Sequence, residues 1–171
     1  MLQRTYNAGA AVLLLAITLT ACAGVRQSSV NPESRKQYCE PLLNYCVLYP
    51  DTFRQLSTLE EQKGVLLDLD APDCTVTVEG FKNAMYQSPR DWYEGYIQEV
   101  DDRYESFLEL EANFTDDIME LQLLADGELH LIRLHRLGIR TWVLTRLEAE
   151  NDQARRQLIA LWNRMDIIPN R

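Results

Sequence analysis

The chain is 171 residues long, 46% hydrophobic and 25% charged, with a formal net charge of -9. This length suits one domain that can bury roughly 70% of its extended-chain surface and needs neither metal nor disulfide to fold, and the composition lies far from the disordered class. An acidic surface repels phosphate backbones and so argues against nucleic acid as a partner, while acidity by itself says nothing for a cationic substrate.

Arg4 gives the chain a short positive start, and residues 8–21 (AGAAVLLLAITLTA) then run without a charge. The run is too short for a transmembrane helix, which needs about 20 residues, and fits the apolar centre of a signal peptide. The plainer alternative is a buried N-terminal helix with an ordinary core cysteine. The run closes on Leu19-Thr20-Ala21-Cys22, which resembles the lipobox of bacterial lipoprotein precursors. That resemblance implies cleavage before Cys22, with a diacylglyceryl group and an N-acyl chain added to that residue. A single acyl chain holds a protein only marginally at a membrane, whereas two or three hold it stably. Ala23, where an Asp would retain the protein at the inner membrane, implies transfer to the outer membrane.

Residues 1–21 are therefore expected to be a lipoprotein signal peptide. Residues 22–37 are polar, contain proline and lack periodicity, so they read as the lipidated cysteine and a flexible tether. Residues 38–171 are left as a single α+β domain. The signal segment holds Arg4 and no acid, so the remainder is more negative still. The lipid, not the protein surface, is then expected to hold the molecule at the membrane.

Lipidation would leave Cys39, Cys46 and Cys74 in a compartment where disulfides persist, enough for one bridge and one spare thiol. Cys39 and Cys46 flank a short segment in which Pro41 favours a turn, and this is the favoured pair, a staple where the tether enters the domain. Cys46 with Cys74, across neighbouring strands, is the alternative.

Cys46 to Tyr49 is a short β-rich run stopped by Pro50, after which Phe53 and Leu56 are expected to fold back over the core. Residues 60–64 form a polar turn. Val65, Leu67 and Leu69 alternate with polar or outward positions, as do Cys74, Val76, Val78 and Gly80 after a turn at 71–73, so the two runs predict a hairpin. Ser88-Pro89 opens a helix, with Trp92, Tyr93, Tyr96, Ile97, Val100 and Tyr104 on one face and acids on the other. Core packing is the commoner use of such an aromatic row; a binding surface is the alternative.

From Phe107 the pattern is an antiparallel meander: 108–114, then 119–125, then 128–136, then 139–147. Asp126-Gly127 and Leu137-Gly138 supply the turns. The Leu-rich stretch 117–125 also admits a helix. Asn151 or Asp152 caps a closing helix with Leu158, Leu161, Trp162 and Met165 as its apolar stripe, ended by Pro169. About seven strands, one inserted helix and one C-terminal helix make an α+β domain. Tyr49-Pro50-Asp51-Thr52-Phe53 after the first strand, Ser88-Pro89 at the mid-chain helix, and a terminal helix behind a meander resemble the α/β/α sandwich of photosystem extrinsic subunits and Ran-release factors. Over about residues 44–168 this implies an antiparallel sheet with helices on both faces and a non-catalytic accessory role, with no functional residue carried over.

Catalytic patterns are thin. His130 and His135 are five residues apart on a strand, hence on opposite faces, and cannot share a metal. No zinc spacing, nucleophile elbow or phosphate loop is present, so no metal and no cofactor is expected. Asp68, Asp70 and Glu79 match three positions of a calcium loop, but Pro72 and Asp73 occupy the turn where glycine is required, and a solvated hairpin tip is the better reading. The acid pairs Asp101-Asp102 and Asp116-Asp117 read as solvated. The sequence thus points to a non-enzymatic envelope lipoprotein, held at the membrane by its lipid and acting on an envelope protein partner. Two alternatives remain open: a carrier for a small apolar ligand or lipid, with Trp92, Tyr96 or Trp142 lining a cavity between helix and sheet or forming a partner surface, and a hydrolase using Cys74 or an acid pair.

Overall fold

The computed structural model describes residues 34–61, 63–70, 72–150 and 154–170. Among them, a hairpin of β1 (Arg35–Glu40) and β2 (Tyr45–Pro50) leads into three strands, β3 (Arg54–Leu59), β4 (Gly64–Asp70) and β5 (Asp73–Lys82). Helix α1 (Pro89–Arg103) follows, then the meander β6 (Phe107–Phe114), β7 (Ile118–Ala125), β8 (Glu128–Arg136) and β9 (Thr141–Ala149). Helix α2 (Arg155–Trp162) and a short β10 (Asp166–Pro169) close the described chain.

The strands form a seven-stranded sheet in the order β3-β4-β5-β9-β8-β7-β6 and a three-stranded sheet in the order β1-β2-β10. Every pairing is antiparallel. Period-two alternation gives the large sheet two apolar faces. Val65, Val76, Leu131 and Leu147 point to one face, where Tyr45, Val47 and Tyr49 of the small sheet and Leu158 and Trp162 of α2 cover them. Met119, Leu121, Ile132, Leu134 and Trp142 point to the other, under Trp92, Tyr93, Tyr96, Ile97 and Val100 of α1. The molecule is an α+β sandwich with a helix on each face of the sheet.

Local chemistry accounts for the element ends. Ser88 Oγ accepts from the Asp91 amide at 3.1 Å while Asp91 Oδ2 accepts from the Ser88 amide at 2.7 Å, with Pro89 beside them. This reciprocal cap contributes about 1 kcal/mol. Asp126 and Gly127 both take positive φ, 50° and 88°, as a two-residue hairpin turn requires. Asp126 also accepts from the Ser106 amide at 2.9 Å, which ties the start of β6 to this turn. Gly64 is forced by close approach, because a Cβ there would lie 1.8 Å from the Val78 carbonyl oxygen.

Several expectations change. Strands β1, β3 and β10 were not anticipated, and β1 begins at Arg35, three residues inside the stretch read as tether. Leu56 does not fold over the core; it sits 48% exposed on the edge strand β3, at a register shift between Gln55 and Ser57. The closing helix is shorter than the apolar stripe suggested. It stops at Trp162, Met165 is buried in the following turn, and Asp166–Pro169 pairs with β2 as a strand. Its first residue follows Ala154, which offers no side-chain cap. The expected caps Asn151 and Asp152 lie outside the described residues, as do residues 1–33. Residues 118–125 alternate half-buried and buried as a strand, not a helix.

Candidate functional site

Cys39 and Cys46 are directly opposite each other in the β1–β2 ladder, with Cα atoms 4.1 Å apart and sulfurs bonded. The bridge closes the turn at 41–44, where Asn44 takes a positive φ of 56°. Cys74 is a buried free thiol, and burial pushes its ionisation up to about 12. Such a thiol carries almost no thiolate near neutral pH and is a poor nucleophile.

The ladder separates Cys74 from both histidines. Cys74 pairs with Ala149, while His135 pairs with Val143, six residues further along β9 and so roughly 20 Å away. His130 points to the opposite face, where its ring meets Tyr104 edge-on at 5.5 Å. Its nitrogens lie 3.8 Å from Glu128 and 3.9 Å from Glu148. Burial lowers the affinity of both imidazoles for a proton: that of His130 falls against the pull of those two carboxylates, and that of His135 reaches about 4, helped down by Arg133. The structure therefore does not bring together the thiol and imidazole of the hydrolase reading.

The acidic candidates are engaged in ion pairs. Arg54 holds Asp68 at 2.6 Å and Asp70 at 3.5 Å, and Arg146 holds Glu79 at 2.6 Å. Of the paired acids, Asp117 bonds Arg136 at 3.1 Å. Among the described residues, no group of three or more acids, histidines or cysteines is placed to hold a metal ion.

Of the three aromatic candidates, Trp92 and Tyr96 stack on successive turns of α1, with centroids 5.0 Å apart and planes 11° from parallel. Both are half-buried. Trp142 is corrected: only 1% is exposed, it packs beside Phe81 at 6.4 Å, and it belongs to the core rather than to a surface. Its position on a central strand, under α1, seals it.

The sequence reading missed a second surface, at the end of the sheet where β5 stops and β9 starts. Met85 is 81% exposed, Ile139 79% and Tyr86 58%. Asn83 is buried and organises the loop that carries the first and last of these. Its amide donates to the Arg140 carbonyl at 2.8 Å, its Nδ2 donates to the Gln87 carbonyl at 2.8 Å, and its Oδ1 accepts from the Gln87 amide at 3.1 Å. Tyr86 has a φ of 55°, uncommon for a bulky residue. Arg140 crosses from the β8–β9 turn to lie 4.9 Å from the Tyr86 ring centroid and bonds the Tyr86 hydroxyl. The sequence alternation runs through the turn and predicts a strand from Ile139, whereas β9 begins at Thr141 and leaves Ile139 in the turn.

Both signs of charge meet at the end that carries the tips: Lys82 and Arg140 beside them, and the exposed Glu60 and Glu61 in the β3–β4 turn. At the other end, Asp73, Glu128, Glu148 and Glu150 line a recess of about 220 Å³, with Asp68 and Asp70 on the neighbouring strand.

No protein-family model and no curated protein matches this chain. Solved structures do. The Ran-binding protein Mog1p of Saccharomyces cerevisiae is similar with a TM-score of 0.55 and 8% identity, over 78% of this chain and 95% of its own. The cyanobacterial PsbP (CyanoP) of Synechocystis sp. PCC 6803 is similar with a TM-score of 0.55 and 12% identity, over 88% of this chain and 99% of its own. At these identities the likeness establishes the fold.

Proposed function

We propose that this protein is a lipid-anchored envelope lipoprotein whose single domain is a non-enzymatic module that binds a protein partner. The observation that carries the reading is the uncharged run 8–21 ending on Cys22, followed by a polar stretch and a self-sufficient domain. Cleavage before Cys22 and acylation there would leave the domain on a short tether, and Ala23 directs it to the outer membrane. A binding role is supported by the fold shared with Mog1p, which binds Ran. It is also supported by the half-exposed Trp92–Tyr96 stack, since aromatic side chains supply large contact area at small entropic cost. The hydrolase alternative is disfavoured because His135 lies six residues along the ladder from Cys74 and His130 points to the other face of the sheet.

Two measurements test the reading. The Cys22→Ser variant is expected to stay unprocessed or unlipidated and to show a changed mature mass; an unchanged mass with unchanged membrane fractionation overturns the anchor. Purification of the full protein from solubilised membranes is expected to bring down a partner in a defined ratio, and Trp92→Ala is expected to weaken that recovery. Recovery of the protein alone overturns the module reading.

A further inference from the structure

The acidic recess is built at the end of three adjacent strands. Glu148 is in register with Thr75 on β5 and with His130 on β8. Period-two geometry then puts Asp73, Thr75, Glu128, His130, Glu148 and Glu150 on the same face of the sheet. The lining holds the carboxylates of Asp73, Glu128, Glu148 and Glu150 and no lysine or arginine. The arginines around it are engaged elsewhere: Arg54 with Asp68 and Asp70, Arg146 with Glu79, Arg103 with Glu99 and Arg155 with Gln122.

Solvated acids alone need no ligand, and His130 supplies the further observation. Its side chain is only 4% exposed, and its Nε2 has no hydrogen-bond partner. Nε2 faces Glu128 Oε2 at 3.8 Å and Nδ1 faces Glu148 Oε1 at 3.9 Å, both too long for a hydrogen bond. Burial lowers the proton affinity of the imidazole and keeps it neutral near neutral pH. A neutral ring carries one proton, so one of its nitrogens is always a bare acceptor facing a carboxylate. Two acceptors at this spacing leave room for one donor about 2.9 Å from each, and a cationic donor suits the carboxylate best.

We propose that this recess binds a primary ammonium group, carried by a short linear diamine, with Glu128, Glu148 and the buried His130 as acceptors. The first ammonium donates to the bare His130 nitrogen and to the glutamate facing it, and Asp73 and Glu150 receive the second. Tyr104 packs edge-on against the imidazole at 5.5 Å, which limits its rotation and presets the acceptor. A volume of about 220 Å³ suits an unbranched amine. A metal ion fits less well, because one ion takes only one imidazole nitrogen and the two glutamates flank different nitrogens. Amine binding needs only the folded domain, so it goes beyond the anchored-module reading and does not depend on it.

The test titrates the full chain, in non-ionic detergent at low salt and neutral pH, with cadaverine by calorimetry. The expected result is saturable binding that moves the imidazole nitrogen NMR signals of His130 and leaves those of His135 in place. Glu128→Gln with Glu148→Gln should weaken it about tenfold or more. Glu60→Gln with Glu61→Gln removes the same charge at the opposite end of the sheet and should change it by less than about twofold. No saturable heat overturns the proposal, as do His130 signals that stay put. Equal affinity for tetramethylammonium, which has the charge but no N–H to donate, overturns it too. A second arm uses Nα-acetyl-lysine methylamide: weaker binding than cadaverine supports the free diamine, and equal or tighter binding overturns it in favour of a partner's lysine. Membrane fractionation and partner recovery do not involve the recess, so a failed amine site and a failed anchored module give different results.

Discussion

Arg133 and Trp162 meet across the boundary between the seven-stranded sheet and α2, the guanidinium carbon 5.0 Å from the indole centroid. The same guanidinium donates to Glu120 at 2.6 Å, to the Met165 carbonyl at 3.3 Å and to Asn163 Oδ1 at 3.4 Å. One half-buried side chain therefore pins the end of α2 and the turn into β10 to β8. Replacing it removes those bonds and leaves Glu120 unpaired, a cost of about 2 kcal/mol after allowance for the part of Glu120 that water still reaches. Arg133→Met is expected to lower the denaturant midpoint and to raise hydrogen exchange in residues 155–169 more than in β7 or β9. Uniform protection throughout would show that the contact does not hold the C-terminal segment.

Glycines provide a sharper contrast. A Cβ on Gly64 would meet the Val78 carbonyl oxygen at 1.8 Å, whereas one on Gly138 meets nothing within 4 Å. The first clash is with backbone in the middle of the sheet, where no rotamer change relieves it. Gly64→Ala is expected to cost at least about 3 kcal/mol or to abolish folding, and Gly138→Ala to stay within about 0.5 kcal/mol of the parent. Thermal melts of the two variants decide this, and a mild Gly64→Ala would mean that β4 and β5 are further apart than the ladder places them.

The contrast between legible and illegible elements has a physical pattern. Strands β4, β5, β7, β8 and β9 and helix α1 could be read because one or both faces are buried, so period and composition agree. Ser88, Pro89, Asp126 and Gly127 announced their caps and turns directly. By contrast, β1, β3 and β10 bury only one residue among them, the polar Glu40, so they lack the buried apolar alternation that reveals a strand, whereas the edge strand β6 keeps a visible alternation. Trp142 was misplaced because spacing shows that a residue faces α1 but not how completely α1 covers it. The Met85, Tyr86 and Ile139 cluster was out of reach for a different reason: its parts are about 50 residues apart in sequence and meet only through the fold.

The bridge between Cys39 and Cys46 makes a covalent hairpin of the segment that leads into the domain. In the loop-entropy view, closing so short a loop is worth about 2.5 kcal/mol. Cys39→Ala with Cys46→Ala is expected to lower stability by about that amount, with extra exchange confined to β1, β2 and β10. In a Cys22→Ser background the native protein should show no thiol to a bulky reagent, and Cys74 should react only on unfolding, since burial holds its ionisation at about 12. A native protein that gave fast, stoichiometric labelling of Cys74 would refute the buried assignment.

The two histidines predict how stability depends on acid. Burial is the main cause that lowers both, and for His135 the value falls from 6.5 to about 4, with Arg133 adding to the shift and Glu120 and Asp166 opposing it. A depressed value in the folded state means that the unfolded chain binds the proton first. Their contribution is therefore intact above about pH 6.5 and is lost as pH falls from 6.5 toward 4. For His135 the loss approaches about 3 kcal/mol across that window. His130 adds a loss of the same sign, limited by Glu128 and Glu148, which welcome a charged imidazole. Denaturant unfolding measured at several pH values should show stability falling below pH 6.5 before most carboxylates titrate, and His135→Gln should flatten that fall whatever its absolute stability. If parent and variant lose stability in parallel from pH 6.5 to 4, the acid sensitivity belongs to the carboxylate pairs and not to His135.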